Sequence, residues 1–183
     1  MAVSKLVRAA MLFAAIGVFQ SQAFAQTVED RTQDKVAFPA FKIMGNLYYV
    51  GTGTLNSFLI STPQGAILIN TNFEDTIPLL KASIEKVGFK MTDIKMILGS
   101  HAHADHQQAD ATVKEMTGGA PVVAMEEDVA ALKNITAPDK KPHPIDKIIH
   151  DGDKVTLGNT TLTAHLTPGH TRGCTTWTLP VTD

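Results

Sequence analysis

Three histidines and an aspartate fall within six consecutive positions of this sequence, as His101, His103, Asp105 and His106. Residues two apart in an extended chain point to the same side, so His101 and His103 can face one point. Asp105 and His106 follow where the chain turns into a predicted helix, and they face a neighbouring point. Imidazole nitrogens and carboxylate oxygens are ligands that Zn²⁺ takes at about 2.0–2.2 Å. The spacing therefore predicts a zinc site rather than a solvent-exposed polar loop without a function.

A further histidine, His170, follows a sharp turn in the chain. The proline and glycine before it force this turn directly after a predicted strand at residues 162–166. Strand ends of a layered α/β protein meet at one edge of the sheet, where the His101 segment also emerges. We therefore expect His170 to be the third imidazole beside His101 and His103. A lone histidine in a turn is usually a surface residue, and the first motif is what favours the ligand role.

The apolar pattern predicts the elements that must position these residues. Short apolar runs separated by turn residues predict an antiparallel meander, at residues 47–50, 58–60 and 66–69. Helical spacing then alternates with short apolar runs, which predicts helices at 77–87, 106–117 and 126–133 and strands at 95–98 and 121–124. An Asp-Gly pair predicts a hairpin between 145–149 and 154–157, and strands at 162–166 and 175–179 complete the chain. This alternation predicts a layered α/β protein with a mixed sheet.

The composition is that of one soluble globular domain. Of the 183 residues, 44% are hydrophobic and 19% are charged, and the formal net charge is −2. This balance gives no basic surface for nucleic acid or for an anionic membrane, so we expect neither as a partner. The single cysteine, Cys174, excludes a disulfide within the chain. The function must therefore be inferred from the histidine-rich site.

The first 25 residues have the three-part pattern of a secretory signal peptide. A positively charged start precedes an apolar run at residues 9–19, and the small residues Ala23 and Ala25 mark a cleavage site. The run is shorter than the roughly 20 residues that cross a bilayer. A buried amphipathic helix and an uncleaved anchor are the alternatives. We expect residues 1–25 to be removed and residues 26–183 to form one periplasmic domain without a membrane segment.

Two stretches of the sequence resemble the metallo-beta-lactamase superfamily. They are the motif from Ser100 to His106 and the segment at residues 166–178, which contains Pro-Gly-His-Thr. Both are similar to class B, subclass 3 zinc β-lactamases, because other dinuclear class B enzymes have arginine at the position of His106. Those enzymes also use a cysteine ligand that lies much further past the turn than Cys174 does. The resemblance implies an αββα metallo-beta-lactamase sandwich, with its second half incomplete in this chain.

The resemblance also implies a division of the ligands between two zinc ions. His101, His103 and His170 would hold the first, and Asp105 and His106 would hold the second. A metal-bound hydroxide would then hydrolyse the amide bond of a β-lactam antibiotic, with Asp105 as a catalytic residue that positions the nucleophile. Asp usually stands in the superfamily where this chain has Asn70, so an uncharged amide would brace the metal loop here.

The second zinc of the resembling enzymes takes a further histidine near the C-terminus, which does not occur before Asp183. The remaining histidines, His143, His150 and His165, are poor substitutes. We therefore expect a partial chain that binds at most one zinc tightly and hydrolyses weakly or not at all. The alternatives are another hydrolase of this fold, such as a lactonase or thioester hydrolase, and a non-catalytic remnant. The sequence does not specify an oligomeric state.

Overall fold

A computed structural model describes residues 31–181 of the chain, so the predicted signal peptide at residues 1–25 lies outside the described residues. The strands of the described part are β1 (Phe41–Met44), β2 (Leu47–Tyr49), β3 (Phe58–Thr62), β4 (Gly65–Ile69), β5 (Ile94–Leu98), β6 (Val122–Met125), β7 (Lys147–Ile149), β8 (Lys154–Leu157), β9 (Thr160–Leu166) and β10 (Thr175–Thr178). The α-helices are α1 (Ile77–Lys86), α2 (Ala104–Gln107), α3 (Asp110–Met116) and α4 (Val129–Leu132). Short 3₁₀ helices occupy Arg31–Lys35, Glu74–Thr76, Met91–Asp93 and Glu126–Asp128. No helix among these residues is long and apolar enough to cross a bilayer.

The strands form a large mixed sheet and a small antiparallel sheet. The large sheet has the order β1-β2-β3-β4-β5-β6-β7, and the small one has the order β10-β9-β8. Strands β1 to β4 pair antiparallel, which confirms the predicted meander and adds β1 to it. From β4 to β7 the pairing is parallel. The predicted mixed sheet is therefore confirmed.

Strand β4 shows how the layers are held together. Its side chains alternate between the two faces of the sheet, as the period of a strand requires. Ala66 and Leu68 pack toward helices α1 and α3, whereas Ile67 and Ile69 pack toward the small sheet. Burial on both faces explains why the strand is an unbroken apolar run. Helices, large sheet and small sheet thus form three successive layers of the expected αββα sandwich.

The predicted hairpin at the Asp-Gly pair is wrong. Strand β7 joins the large sheet beside β6, and β8 joins the small sheet beside β9. The backbone at Gly152 and Asp153 hydrogen-bonds to Ala164 of β9 instead of closing onto β7. The Asp-Gly turn therefore carries the chain from one sheet to the other, and the hairpin lies at the next turn, between β8 and β9.

The helix predicted at residues 106–117 is divided into α2 and α3. The loop after β4 causes the division, because its backbone inserts into the helical hydrogen-bond ladder. The amides of Thr71 and Asn72 donate to the carbonyl of His106, and the amide of Ala109 donates to the carbonyl of Asn72. These bonds attach the end of the histidine motif to the neighbouring strand.

Candidate metal centre

Two loops at the same edge of the sheets carry the predicted ligands. One loop follows β5 and contains the histidine motif, and the other connects β9 to β10 and contains His170. The amide of Thr175 donates to the carbonyl of Ser100 at 2.7 Å, and the indole of Trp177 donates to the carbonyl of Gly99 at 2.9 Å. The loops are therefore joined directly, although about 70 residues separate them.

The structure brings His101, His103 and His170 together as the sequence predicts. One nitrogen of each ring lies within 4.8 Å of the corresponding atoms of the other two. The ring centroids are 4.9 Å apart for His101 and His103, 4.7 Å for His101 and His170, and 4.5 Å for His103 and His170. His101 is buried, whereas His103 and His170 are exposed. One buried imidazole beside two that reach solvent suits a metal ion that keeps a position open for substrate.

Asp105 and His106 belong to the second predicted group. The third residue of this group is His101, which also belongs to the first group. Their potential ligand atoms lie within 4.8 Å of each other and of a ring nitrogen of His101. Nε2 of His106 is 3.1 Å from Oδ2 of Asp105, and the ring centroids of His101 and His106 are 4.0 Å apart. Within residues 31–181, His101 is the only third ligand that lies close enough to Asp105 and His106.

The electrostatics of the cluster favour neutral imidazoles. Burial, followed by the neighbouring His106, His103 and His170, lowers the pKa of His101 to about 4. Burial also lowers the pKa of His106, against the opposing effect of Asp105. Neutral rings keep a lone pair available for a metal at neutral pH. Nε2 of His101 is buried and has no hydrogen-bond partner in the described part of the chain. Such an atom is costly unless something binds it, so these residues fit a metal ion.

Ser100 and Gln107, which the motif does not mark as ligands, support the backbone and ring of His101. Oγ of Ser100 lies 3.1 Å from Nδ1 of His101, and the side-chain amide of Gln107 donates to its carbonyl at 2.6 Å. A Cβ at Gly99 would lie 2.2 Å from Cδ of Gln107, so only glycine allows this approach. The glycine before the motif was the available sequence signal.

Asn70 occupies the bracing position that the resemblance assigned to it. Its Oδ1 accepts a hydrogen bond from the amide of Ser100 at 2.9 Å. Its Nδ2 lies 3.1 Å from Nδ1 of His106 and donates to the carbonyl of Asn56 at 3.3 Å. The uncharged amide thus contacts both the start and the end of the metal loop.

The remaining histidines lie outside both groups. His143 is buried against Asp110, with its Nε2 2.9 Å from Oδ2 of that residue. His150 is exposed and pairs with Glu126, and Nε2 of His165 lies 2.9 Å from Oγ1 of Thr178. The half-buried thiol of Cys174 also belongs to neither group. No other histidine of the described chain supplies a third ligand to Asp105 and His106.

Comparison with known proteins agrees with this geometry. The chain is 47% identical to the metallo-beta-lactamase FEZ-1 from Legionella gormanii, over 81% of this chain and 60% of that one, with a TM-score of 0.75. The subclass B3 enzyme BJP-1 of Bradyrhizobium japonicum is 40% identical, over 83% of this chain and 60% of that one, with a TM-score of 0.76. The class B3 di-zinc enzyme LRA-12 from an Alaskan soil metagenome is 33% identical, over 84% of this chain and 61% of that one, with a TM-score of 0.78. The chain thus spans about 60% of the length of these solved structures.

The curated relatives have broader descriptions. A probable metallo-hydrolase of Methanocaldococcus jannaschii is 31% identical over 64% of this chain and 59% of its own length. The sequence profile of the metallo-beta-lactamase superfamily matches residues 50–182, which include both histidine loops. The chain therefore belongs to the metallo-beta-lactamase superfamily.

Proposed function

We propose that this chain carries the zinc-binding site of an enzyme that hydrolyses the amide bond of β-lactam antibiotics in the periplasm. The observation that carries the proposal is the convergence of His101, His103 and His170 from two separate loops. Its support from relatives is the 47% identity to a metallo-beta-lactamase. The proposed periplasmic location depends on the signal-peptide pattern of residues 1–25.

His101, His103 and His170 would hold one zinc ion, and Asp105 and His106 would hold a second. Bound zinc polarises a carbonyl oxygen and lowers the pKa of a coordinated water toward about 7. The buried His101 forms the floor of the site, and the exposed His103 and His170 leave it open to a small substrate. The Asp105 carboxylate accepts a hydrogen bond at Oδ2, so it can orient a water molecule beside the rings or accept a proton from it.

The direct test is hydrolysis by the purified chain. We expect loss of the β-lactam absorbance of a carbapenem or a cephalosporin, dependent on zinc and slower than with a full-length relative. A lactone and a thioester are the matched substrates, because other hydrolases of this fold cleave those bonds. Faster cleavage of either one, with the β-lactam intact, would refute the proposed substrate class.

Zinc titration tests the division of the ligands. We expect one tight equivalent per chain by calorimetry, because among residues 31–181 only the first group has three ligands of its own. His106→Ala should retain that equivalent, since His106 belongs to the second group, whereas His103→Ala should lose it. Two tight equivalents in the wild-type chain would contradict the expectation that Asp105 and His106 bind a second ion only weakly.

A further inference from the structure

Asp128 is a buried acid between the two metal loops that no motif singled out. It ends the 3₁₀ helix Glu126–Asp128 and precedes α4, and it is 3% exposed. Aspartate is common at the start of a helix, where its carboxylate usually accepts backbone N–H groups of the first turn. Here the side chain makes no such capping bond. Its presence therefore needs another explanation.

The carboxylate of Asp128 accepts hydrogen bonds from both metal loops. Its Oδ2 accepts the amide of Ala102, the residue between His101 and His103, at 2.8 Å. The same oxygen accepts the hydroxyl of Thr171, which directly follows His170, at 2.8 Å. Its Oδ1 accepts the amide of Gly173 at 2.7 Å. One side chain thus bonds to the immediate neighbours of all three first-group histidines.

The packing around Asp128 shows that this contact is closely fitted. A Cβ on Gly173 would lie 2.5 Å from the backbone nitrogen of Asp128 and 2.6 Å from its Cβ and Cγ. Backbone atoms cannot move aside as a flexible side chain can, so only glycine permits the approach. Hydrogen bonds from backbone amides to a carboxylate are short and about twice as strong as neutral ones. The position of each loop is therefore set relative to one rigid group.

We infer that Asp128 is a positioning residue, which holds the His101 and His170 loops at the separation where their imidazoles can share one metal ion. The inference rests on the proposed zinc-dependent function, because it assigns Asp128 a role toward that ion. Asp128 acts through the residues next to the histidines, by two backbone amides and the Thr171 hydroxyl, and not through the rings themselves. A merely structural role would stabilise the fold without changing the metal affinity of the folded chain.

Asp128→Asn is the main test, because asparagine has nearly the same shape. The side-chain oxygen of asparagine can replace only one of the two carboxylate oxygens of Asp128. The amide nitrogen would take the place of the other oxygen and would face an N–H or O–H donor of a loop. We expect zinc affinity to fall at least about tenfold, as for groups that orient metal ligands. The absorption bands of the Co²⁺-substituted chain should also shift, while the far-UV circular dichroism of the metal-free chain is retained.

Matched variants separate positioning from charge and from folding. Glu127→Gln removes an exposed carboxylate from the same turn and should leave the zinc affinity unchanged. Thr171→Ser keeps the hydroxyl donor and should behave as wild type, whereas Thr171→Val removes it and should weaken zinc binding severalfold. If Asp128→Asn does not fold, the two Thr171 variants decide the question.

Two results would overturn the inference. One is a folded Asp128→Asn chain with zinc affinity within twofold of wild type and unchanged Co²⁺ bands. The other is a wild-type chain that binds no zinc. Because the readout is metal affinity, a wild-type chain that binds zinc but cleaves no β-lactam refutes only the proposed function, and the Asp128 variants still test the positioning role.

Discussion

His101→Ala is expected to abolish tight zinc binding and, with it, zinc-dependent hydrolysis. His101 belongs to both ligand groups. Its ring centroid lies within 4.9 Å of the ring centroids of His103, His106 and His170. A four-ligand structural zinc site is worth about 10–16 kcal/mol, which is about 3 kcal/mol per ligand. Removal of one ligand should therefore weaken binding by about two orders of magnitude. Competition with a chromophoric chelator measures the change.

The control for this prediction is His165→Ala. His165 lies on β9 five residues before His170, and its Nε2 contacts Thr178 rather than the cluster. Its replacement should leave zinc affinity within about twofold of wild type. The metal-free His101→Ala chain should remain folded, because Nε2 of the ring has no hydrogen-bond partner among the described residues and Nδ1 contacts only the adjacent Ser100 there. Zinc binding of wild-type strength in folded His101→Ala would refute the assignment of His101 as a ligand.

The convergence of the histidines could be predicted from sequence because the placement of each one is a local property. Alternation in an extended segment brings His101 and His103 to one side, and a forced turn places His170 at a strand end. The hairpin prediction failed for the opposite reason. A turn sequence specifies that the chain reverses, but the sheet that receives β8 is chosen by burial. Val155 packs between the two sheets beside Leu162 and Ile149.

Asp128 and Asp110 were not predicted as important residues, because their partners are distant in sequence. Asp128 bonds to groups 26, 43 and 45 residues away. Asp110 bonds to Thr71, 39 residues away, and contacts His143. Periodicity predicts which residues are buried, but it cannot show that a buried acid has found its donors. Only the assembled fold identifies these contacts.

The contact of His143 with Asp110 predicts a large loss of stability on His143→Ala. Both side chains are 1% exposed, and Nε2 of His143 lies 2.9 Å from Oδ2 of Asp110. The other carboxylate oxygen accepts the hydroxyl of Thr71 at 2.6 Å. Removal of the imidazole leaves the carboxylate buried with that single donor. We expect the free energy of unfolding to fall by about 3–5 kcal/mol, measured by urea denaturation of the metal-free chain.

The pH dependence of this loss distinguishes a buried charge from a simple cavity. Burial raises the pKa of Asp110, and a carboxyl whose pKa is raised by folding costs stability as the pH rises through that pKa. The deficit of His143→Ala should therefore shrink as the pH is lowered toward 4, whereas a cavity would cost the same at every pH. His150→Ala is the matched control, because His150 also contacts carboxylates, those of Glu126 and Asp153, but is 60% exposed. Since exposed pairs contribute about 0–1 kcal/mol, an equal loss in both variants would contradict the role of the buried contact.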